Sequence, residues 1–268
     1  MTLSFLIGAI FTINGQELTT ISNNDLQMVT NRPGATEASL AVYKGGFQIE
    51  AGLEYGKVPF DKNRESYTNY LYLPNVGIQY GISKNIELRV FTTHLLSKYT
   101  MNEQSTSFES SLNEINVGAK INLVKSKGWV PEMALLVNQG IPTTRNDSTK
   151  QWPTKAVLAW SHSLPANWGL SGNLGYTNQK QSIHNNINYS HALSYTLNLG
   201  YAIKDNLGVF AEAFGEEVID SNNGFPLNID GGAWYRFSNK FQIDGSLGYG
   251  LNQESYYLNI GMSWLVLK

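Results

Sequence analysis

The C-terminal stretch of the chain constrains the fold most strongly. From Tyr256 to Val266, large apolar side chains occupy every second position, and Asn259, Gly261 and Ser263 lie between them. Because successive side chains of a strand point to opposite faces, the stretch predicts a strand with one apolar face and one small, polar face. Such a strand at the end of a chain is typical of a transmembrane barrel, where it pairs with the first strand. An ordinary terminal strand of a soluble sheet is the alternative.

The same alternation recurs throughout residues 39–268 and predicts an all-β fold, a transmembrane up-and-down antiparallel β-barrel of about 12 strands. Each strand has roughly 10 residues or a little more, the length that a tilted strand needs to cross the hydrocarbon core. Short and long connections alternate along the chain, as expected for tight periplasmic turns and longer outer loops. The short turns are predicted near 82–85, 125–128, 164–167, 204–206 and 238–240, and the long outer loops at 99–111, 142–152 and 217–226.

Two details of the strand pattern stay open in the sequence. Pro74 interrupts an alternating run and cannot donate to a ladder, so a bulge or a bend is expected there. Between Thr154 and Leu164 either Val157 with Ala159, or Leu158 with Trp160, can face outward.

Composition excludes several functions. The net charge of -2 creates no bulk field that favours nucleic acid, and the chain contains no cysteine for disulfides or thiolate metal sites. His184 and His191 lack metal-ligand spacing, so neither a metal nor a cofactor is predicted. A low charged fraction of 15% suits a barrel whose outer wall contacts lipid.

The amino terminus is expected to direct export. Residues 1–15 form an apolar run that is too short to span a bilayer as a helix and is typical of a secretory signal peptide, although a buried N-terminal strand remains the alternative. Residues 16–38 are then an N-terminal periplasmic segment, and residues 39–268 form the barrel.

Two stretches resemble known proteins. Residues 30–37 contain Asn31-Arg32-Pro33-Gly34, and together with residues 43–52 they resemble the opening of the transporters grouped as the phenol-degradation meta-pathway family. Asn31 replaces the usual Asp of that opening, and Gly45-Gly46 replaces a common Gly-His. The resemblance implies an outer-membrane barrel with a transport role.

The C-terminal residues Asn259, Gly261, Trp264 and Val266 also resemble the signal that the barrel-assembly machinery reads in bacterial outer-membrane proteins. The usual final Phe is replaced by a continuation to Leu267 and Lys268. This resemblance implies that outer-membrane lipid and the assembly machinery are partners of the chain.

The candidate functional surface is the lumen. Charged residues opposite the apolar stripe are predicted to line it and to form a solute path: Glu50, Glu54, Glu87, Arg89, Glu114, Lys120, Glu132, Glu212, Asp230, Arg236 and Asp244. Acids outnumber bases, which indicates a polar conduit with a weak preference for cations or neutral polar solutes. Alternatively, opposite charges pair across the barrel and close it. The segment at Arg32 either enters the periplasmic mouth, with Arg32 meeting a lumen carboxylate, or is a plain linker turn.

Catalysis fits the sequence less well. A lipid hydrolase in the barrel wall would need Ser and His together, and His94 with Ser97 or the run Ser161-His162-Ser163 are the candidates. No matched third partner accompanies them, and His162 and Ser163 point to opposite faces of a strand. We therefore expect no enzyme but a channel through which an unidentified small solute diffuses passively. A structural or adhesion-type barrel with a blocked lumen is the second hypothesis, and a barrel-embedded hydrolase the third.

Overall fold

The computed structural model describes residues 28–61, 66–101, 104–143, 151–183, 186–219, 226–252 and 254–267. The predicted signal peptide and His184 lie outside these ranges. Strands β1 to β12 pair in sequence order, each antiparallel to its neighbours, and form a closed barrel. Their bounds are Phe47–Asp61, Ser66–Gly81, Ile86–Met101, Gln104–Val124, Glu132–Ile141, Gln151–Ser163, Trp168–Ile183, Asn186–Lys204, Leu207–Val218, Asn228–Ser238, Phe241–Gly250 and Tyr256–Leu267.

The barrel closes between its first and last strands. Ile49 of β1 lies opposite Trp264 of β12, and Leu53 lies opposite Ile260. On β12, Leu258 is 52% exposed on the outer wall, whereas the neighbouring Asn259 is buried inside. The alternation of the C-terminal stretch therefore sorts large apolar side chains outward and small polar ones inward, and the predicted fold class is confirmed.

The outer wall carries a continuous apolar surface. Leu88, Leu174, Leu197, Leu247 and Ile260 are all exposed there. On the outside of a closed sheet, these side chains pack against lipid tails, which form no hydrogen bonds. Within the described ranges, no helix is long and apolar enough to cross a membrane.

The short turns lie where they are predicted, for example at 82–85 between β2 and β3 and at 164–167 between β6 and β7. The long loop at 99–111 was wrong, because β3 continues to Met101, β4 begins at Gln104, and Tyr99 pairs with Ser107. Backbone groups pair whatever the polarity of their side chains, so β3 and β4 continue into this polar stretch. The other two predicted loops lie partly in 144–150 and 220–225, outside the described residues.

Both open details of the strand pattern are resolved. β2 contains a bulge at Leu73 and Pro74, since Gly52 pairs with Asn75 and Glu54 pairs with Tyr72. On β6, Val157 and Ala159 point inward and pack with Ala134 and Leu136 of β5, forming an apolar patch on an otherwise polar inner wall.

The first strand begins at Phe47 and not at Ser39. Residues 28–46, which we call the plug segment, form no strand and lie inside the barrel at the end that carries the short turns. The boundary at residue 38 between a periplasmic segment and the barrel stays a prediction, and the first strand begins after residue 46. Many polar groups of the plug segment find hydrogen-bond partners on the inner wall, as buried polar groups require.

Candidate functional site

The plug segment enters and leaves the barrel at the same mouth. Near its start, the Met28 amide donates to the Asn239 carbonyl of the β10–β11 turn at 3.0 Å. Near its end, the Gly46 carbonyl accepts from the Gly81 amide at 3.0 Å. Met28, Val42 and Leu265 form a small apolar cluster. The segment is thus tied at both ends to the periplasmic rim, and its middle reaches into the lumen.

Arg32 anchors the inbound half of the plug segment. Its Nη2 lies 3.1 Å from Oδ1 of Asp244 on β11 and donates to Oδ1 of Asn259 on β12 at 2.5 Å. Gly52 and Gly261 leave room for the guanidinium, since a Cβ at Gly52 would lie 2.6 Å from Nη1 of Arg32. A cis peptide bond joins Arg32 to Pro33. Arg32 thus meets a lumen carboxylate, one of the two placements that the sequence left open.

Glu37 anchors the returning half. Arg89 Nη2 donates to its carboxylate at 2.8 Å, and Asn173 of β7 exchanges hydrogen bonds with its backbone amide and carbonyl at 2.7 and 3.1 Å. Burial raises the pKa of the Glu37 carboxyl, but the charges of Arg89 and Lys120 and the Arg89 hydrogen bond outweigh burial. The pKa therefore lies below its ordinary value. Glu37 consequently holds its negative charge beside Arg89 at neutral pH.

Asn31 links two lumen charges of opposite sign. Its backbone N–H donates to Oε1 of Glu50 at 3.0 Å, and its side-chain oxygen accepts from Lys120 Nζ at 3.1 Å. The same oxygen accepts from the Ala38 amide at 3.2 Å, which pins the two halves of the plug segment together. Lys120 also donates to the Leu40 carbonyl at 3.0 Å. The side-chain amide of Asn31 thus contacts Lys120 and Ala38 at the position where the family commonly has Asp.

The tip of the plug segment meets a pair of carboxylates. Glu212 of β9 and Asp230 of β10 lie opposite each other in register. The Ala35 amide donates to Glu212 at 2.7 Å, and the Thr36 hydroxyl donates to its other oxygen. The Tyr257 hydroxyl donates to Asp230. Glu212 therefore has plug donors on both oxygens, whereas Asp230 has a wall donor on Oδ2 and its Oδ1 is buried without a hydrogen-bond partner among the described residues.

The returning half of the plug segment continues this pattern. Ser39 Oγ lies 2.7 Å from Ser161 Oγ on β6 and 3.5 Å from Glu132 on β5. The Val42 amide donates to Glu87 on β3 at 2.8 Å. Together these contacts fill the periplasmic half of the lumen with a hydrogen-bonded segment.

Most predicted lining residues point inward and are buried, namely Glu50, Glu87, Arg89, Lys120, Glu132, Glu212, Asp230, Arg236 and Asp244. Arg236 donates to Gln242 at 3.2 Å, and its guanidinium carbon lies 4.8 Å from the centroid of the Trp234 ring. Glu54 is only half-buried and borders an open cavity. Glu114 lies on β4, but its side chain is outside the described part. Whether these residues line a solute path stays a prediction.

Two adjoining cavities lie above the plug segment. The first, of about 430 Å³, has Arg32 and Pro33 as its floor and Glu54, Tyr70 and Phe91 on its wall. The second, of about 410 Å³, includes Asn138, Lys155 and Glu216, with 3.6 Å between the last two charges. Both cavities share Ala35, Glu37, Phe214 and Asn228. The outer half of the lumen therefore holds a vestibule.

Sequence reasoning missed the uncharged partners of the plug segment. Asn173, Asn259, Ser161, Thr196 and Asn122 all bond to it. Each lies in the small, polar stripe of its strand, so the stripe marks them as inward-facing. Nothing in the stripe indicates which plug residue each one meets.

The outer-wall histidines have other partners than the candidate pairs of the sequence. His94 and Ser97 do not meet, because Ser97 is buried on the inner face; His94 Nε2 instead lies 3.0 Å from Ser110 Oγ. Ser161 faces the plug segment, while the ring of His162 stacks against Trp129 with centroids 6.2 Å apart. Among the described residues, no group of three or more acidic or histidine side chains could hold a metal ion.

A closed antiparallel sheet, with exposed apolar side chains on its outer wall and buried polar side chains on its inner wall, defines a β-barrel of the bacterial outer membrane, the fold of channels and porins. The family model described as "Putative MetA-pathway of phenol degradation" matches residues 30–265, and the chain belongs to that family. The match begins inside the plug segment. The resemblance that the opening residues predicted is thereby confirmed.

Three solved structures show the same fold. The COG4313 outer membrane channel from Pseudomonas putida F1 has a TM-score of 0.63 at 10% identity and covers 92% of this chain and 100% of its own. The translocator domain of the autotransporter NalP from Neisseria meningitidis has a TM-score of 0.56 at 15% identity, and the match covers 82% of this chain and 88% of that domain. The KdgM porin in complex with disordered oligogalacturonate has a TM-score of 0.51 at 10% identity, and the match covers 82% of this chain and 99% of the porin. No curated protein matches the sequence.

Proposed function

We propose that the protein is an outer-membrane channel through which small solutes diffuse, and that the plug segment closes its periplasmic mouth until it moves. The likeness to the COG4313 channel and the KdgM porin supports the channel part. The observation that carries the proposal is the ion pair of Arg32 with Asp244 inside the lumen, at 3.1 Å. A segment held by such side-chain bonds blocks the path and can be released without opening the barrel.

The bonding of the plug segment supports its mobility. Its contacts with the wall are mainly side-chain hydrogen bonds and ion pairs, and its buried apolar cluster consists of Met28, Val42 and Leu265. Each polar contact exchanges for a hydrogen bond to water when the segment leaves, so its net contribution is about 0.5–1.5 kcal/mol, or about 1.5–3 kcal/mol where one partner is charged. The strands, in contrast, are paired along their whole length and closed at β1 and β12. Motion of the segment therefore costs far less than opening of the sheet.

A disulfide lock tests the proposal. Ser39 and Ser161 have hydroxyl oxygens 2.7 Å apart, so the double variant Ser39→Cys/Ser161→Cys brings two thiols close to the S–S bond length of about 2.05 Å. The chain has no other cysteine, so the engineered pair is unambiguous. In planar bilayers with KCl, we expect the oxidised variant to conduct less than the wild type and a reductant to restore the conductance.

Two controls accompany the lock. Each single Cys variant should be insensitive to reductant. Thr30, on the inbound half of the plug segment, has its hydroxyl oxygen 2.8 Å from that of Ser263 on β12, and this pair provides a second lock if the first variant fails to fold. Equal conductance of locked and reduced protein would refute gating by the plug segment. Absence of conductance in every state would refute the channel itself.

A barrel with a permanently closed lumen is the second candidate. The number of lumen charges that find partners on the plug segment favours it, because paired charges have no need of a passing solute. Under this alternative, reduction of the lock changes nothing and neither state conducts. The protein would then act through its outer loops or its wall.

A further inference from the structure

The first cavity above the plug segment combines rings and a carboxylate. Tyr70, Phe91, Phe214 and Tyr257 contribute to its wall, and Glu54 lies among them. Phe214 and Tyr257 meet edge to face, with ring centroids 6.5 Å apart. At about 430 Å³, the cavity lies within the range of small-molecule sites, about 300–1,000 Å³. We call this set of residues, with Glu54 at its centre, the cup.

Two neutral side chains hold the Glu54 carboxylate. Its Oε1 accepts from the Tyr70 hydroxyl at 3.0 Å, and its Oε2 accepts from Asn259 Nδ2 at 3.1 Å. Both donors are neutral, and each carboxylate oxygen can accept a further hydrogen bond. Within the described residues, no Lys or Arg forms an ion pair with Glu54. This carboxylate borders the cavity and has acceptor capacity left for a ligand.

The cations near the cup are already engaged. Arg32 on its floor pairs with Asp244 at 3.1 Å, and Arg89 beneath it pairs with Glu37 at 2.8 Å. Glu50, also on the cavity wall, accepts from the Asn31 amide at 3.0 Å and the Gln48 side chain at 2.9 Å. The cup therefore has an excess of negative charge. An anionic solute would meet Glu54 and Glu50 without a free partner cation.

We propose that the cup binds small organic cations, with a ligand ammonium at Glu54 and its apolar part against the rings of Phe91, Phe214 and Tyr257. Aromatic faces attract cations through their quadrupole, and an ammonium group donates to a carboxylate in a charge-assisted hydrogen bond. Rings alone would accept a neutral solute equally well, and a carboxylate alone would accept an inorganic cation. Their combination selects a cation that also carries apolar surface. This inference rests on the channel function, because it names the solute class that the vestibule collects.

Three one-ring probes of different charge test the proposal on the full-length protein in detergent. Isothermal titration at pH 7 should find that benzylammonium binds more tightly than benzyl alcohol, and that benzoate binds least. Glu54→Gln should weaken benzylammonium binding at least about tenfold, because the charge-assisted hydrogen bond is lost, and leave benzyl alcohol nearly unchanged. Glu216→Gln removes the same charge from the second cavity and should change neither.

Equal or tighter binding of benzyl alcohol or benzoate by the wild type would overturn the cup, whether or not Glu54→Gln folds. An unchanged benzylammonium affinity in a folded Glu54→Gln variant would overturn the role of that carboxylate. Conductance in KCl separates this inference from the channel proposal. Preferential binding of benzylammonium by a protein that never conducts would support the cup and refute the channel. Conductance without charge preference in binding would support the channel and refute the cup.

Discussion

Arg32 and Asp244 form an ion pair inside the barrel, although 212 residues separate them in the chain. The Asp244 side chain is fully buried, and that of Arg32 is 10% exposed. A buried charge without a partner is strongly destabilising, so Asp244 and Arg32 each stabilise the other inside the lumen. The pair joins the plug segment to the wall of the barrel.

Arg32→Met should loosen the plug segment while the barrel stays folded. The substitution leaves Asp244 buried without its cation, and breaking a buried pair in this way costs about 3–5 kcal/mol. Hydrogen exchange followed by mass spectrometry should show faster exchange in peptides from residues 28–46 and unchanged exchange in β5 to β8. Lys240→Met, at an exposed turn position near the same mouth, is the matched control and should leave both unchanged.

The double variant Arg32→Met/Asp244→Asn sharpens this prediction. Removing both charges eliminates the unpaired carboxylate, so the double variant should recover part of the protection that the single variant loses. If Arg32→Met exchanged as slowly as the wild type, the ion pair would not be what retains the plug segment.

Gly52→Ala should act on the plug segment through Arg32. A methyl group at Gly52 would lie 2.6 Å from Nη1 of Arg32, so the guanidinium has to move away from Asp244. Gly200→Ala is the control, because every atom near its added methyl group lies at 3.9 Å or more. We expect conductance in planar bilayers to rise for Gly52→Ala only. Equal conductance of the two variants would show that Gly52 is not needed to seat Arg32.

Acid should release the contribution of Glu37. Because the pKa of Glu37 is lowered in the plugged state, its ion pair with Arg89 is fully present at neutral pH and is lost only as pH falls below the ordinary value of about 4.3. Wild-type conductance should therefore rise in that acidic range. Lys120, Glu50 and Lys155 also act on this part of the lumen, so the informative quantity is the difference between wild type and Glu37→Gln.

Glu37→Gln lacks this titration and should conduct more than the wild type already at pH 7, with the two converging in acid. Glu216→Gln serves as a control that removes a carboxylate from the vestibule and leaves the plug contacts intact. Parallel pH profiles of wild type and Glu37→Gln would show that Glu37 does not hold the plug segment.

The sequence predicts the barrel well because one physical rule governs every strand. The alternation of Leu258 and Asn259, or of Leu88 and Arg89, reports directly which face meets lipid and which meets the lumen. The rule fails where both faces are exposed to the same medium. Between 99 and 111 most positions of the sequence are polar, so the sequence resembles a loop although β3 and β4 pair there.

The plug contacts are much less predictable. Arg32 belongs to a segment without periodicity, so nothing in the sequence specifies which of the lumen carboxylates it meets. The register between a strandless segment and a wall is set by shape and by pairwise bonds, for example the space at Gly52 and Gly261. A family resemblance could mark the segment as important, but only the structure brings Arg32 to Asp244.

The lipid-facing wall gives a last prediction. Met262 lies near the middle of β12 and is 44% exposed on the outer surface. Met262→Arg places a charge in hydrocarbon, which costs about 2–4 kcal/mol at the midplane of the bilayer. The variant barrel should unfold at lower urea concentration in lipid vesicles. Leu251→Arg, in the turn after β11 where the cost is about 0–1 kcal/mol, should unfold nearly as the wild type does. Equal midpoints for the two variants would mean that lipid does not contact Met262.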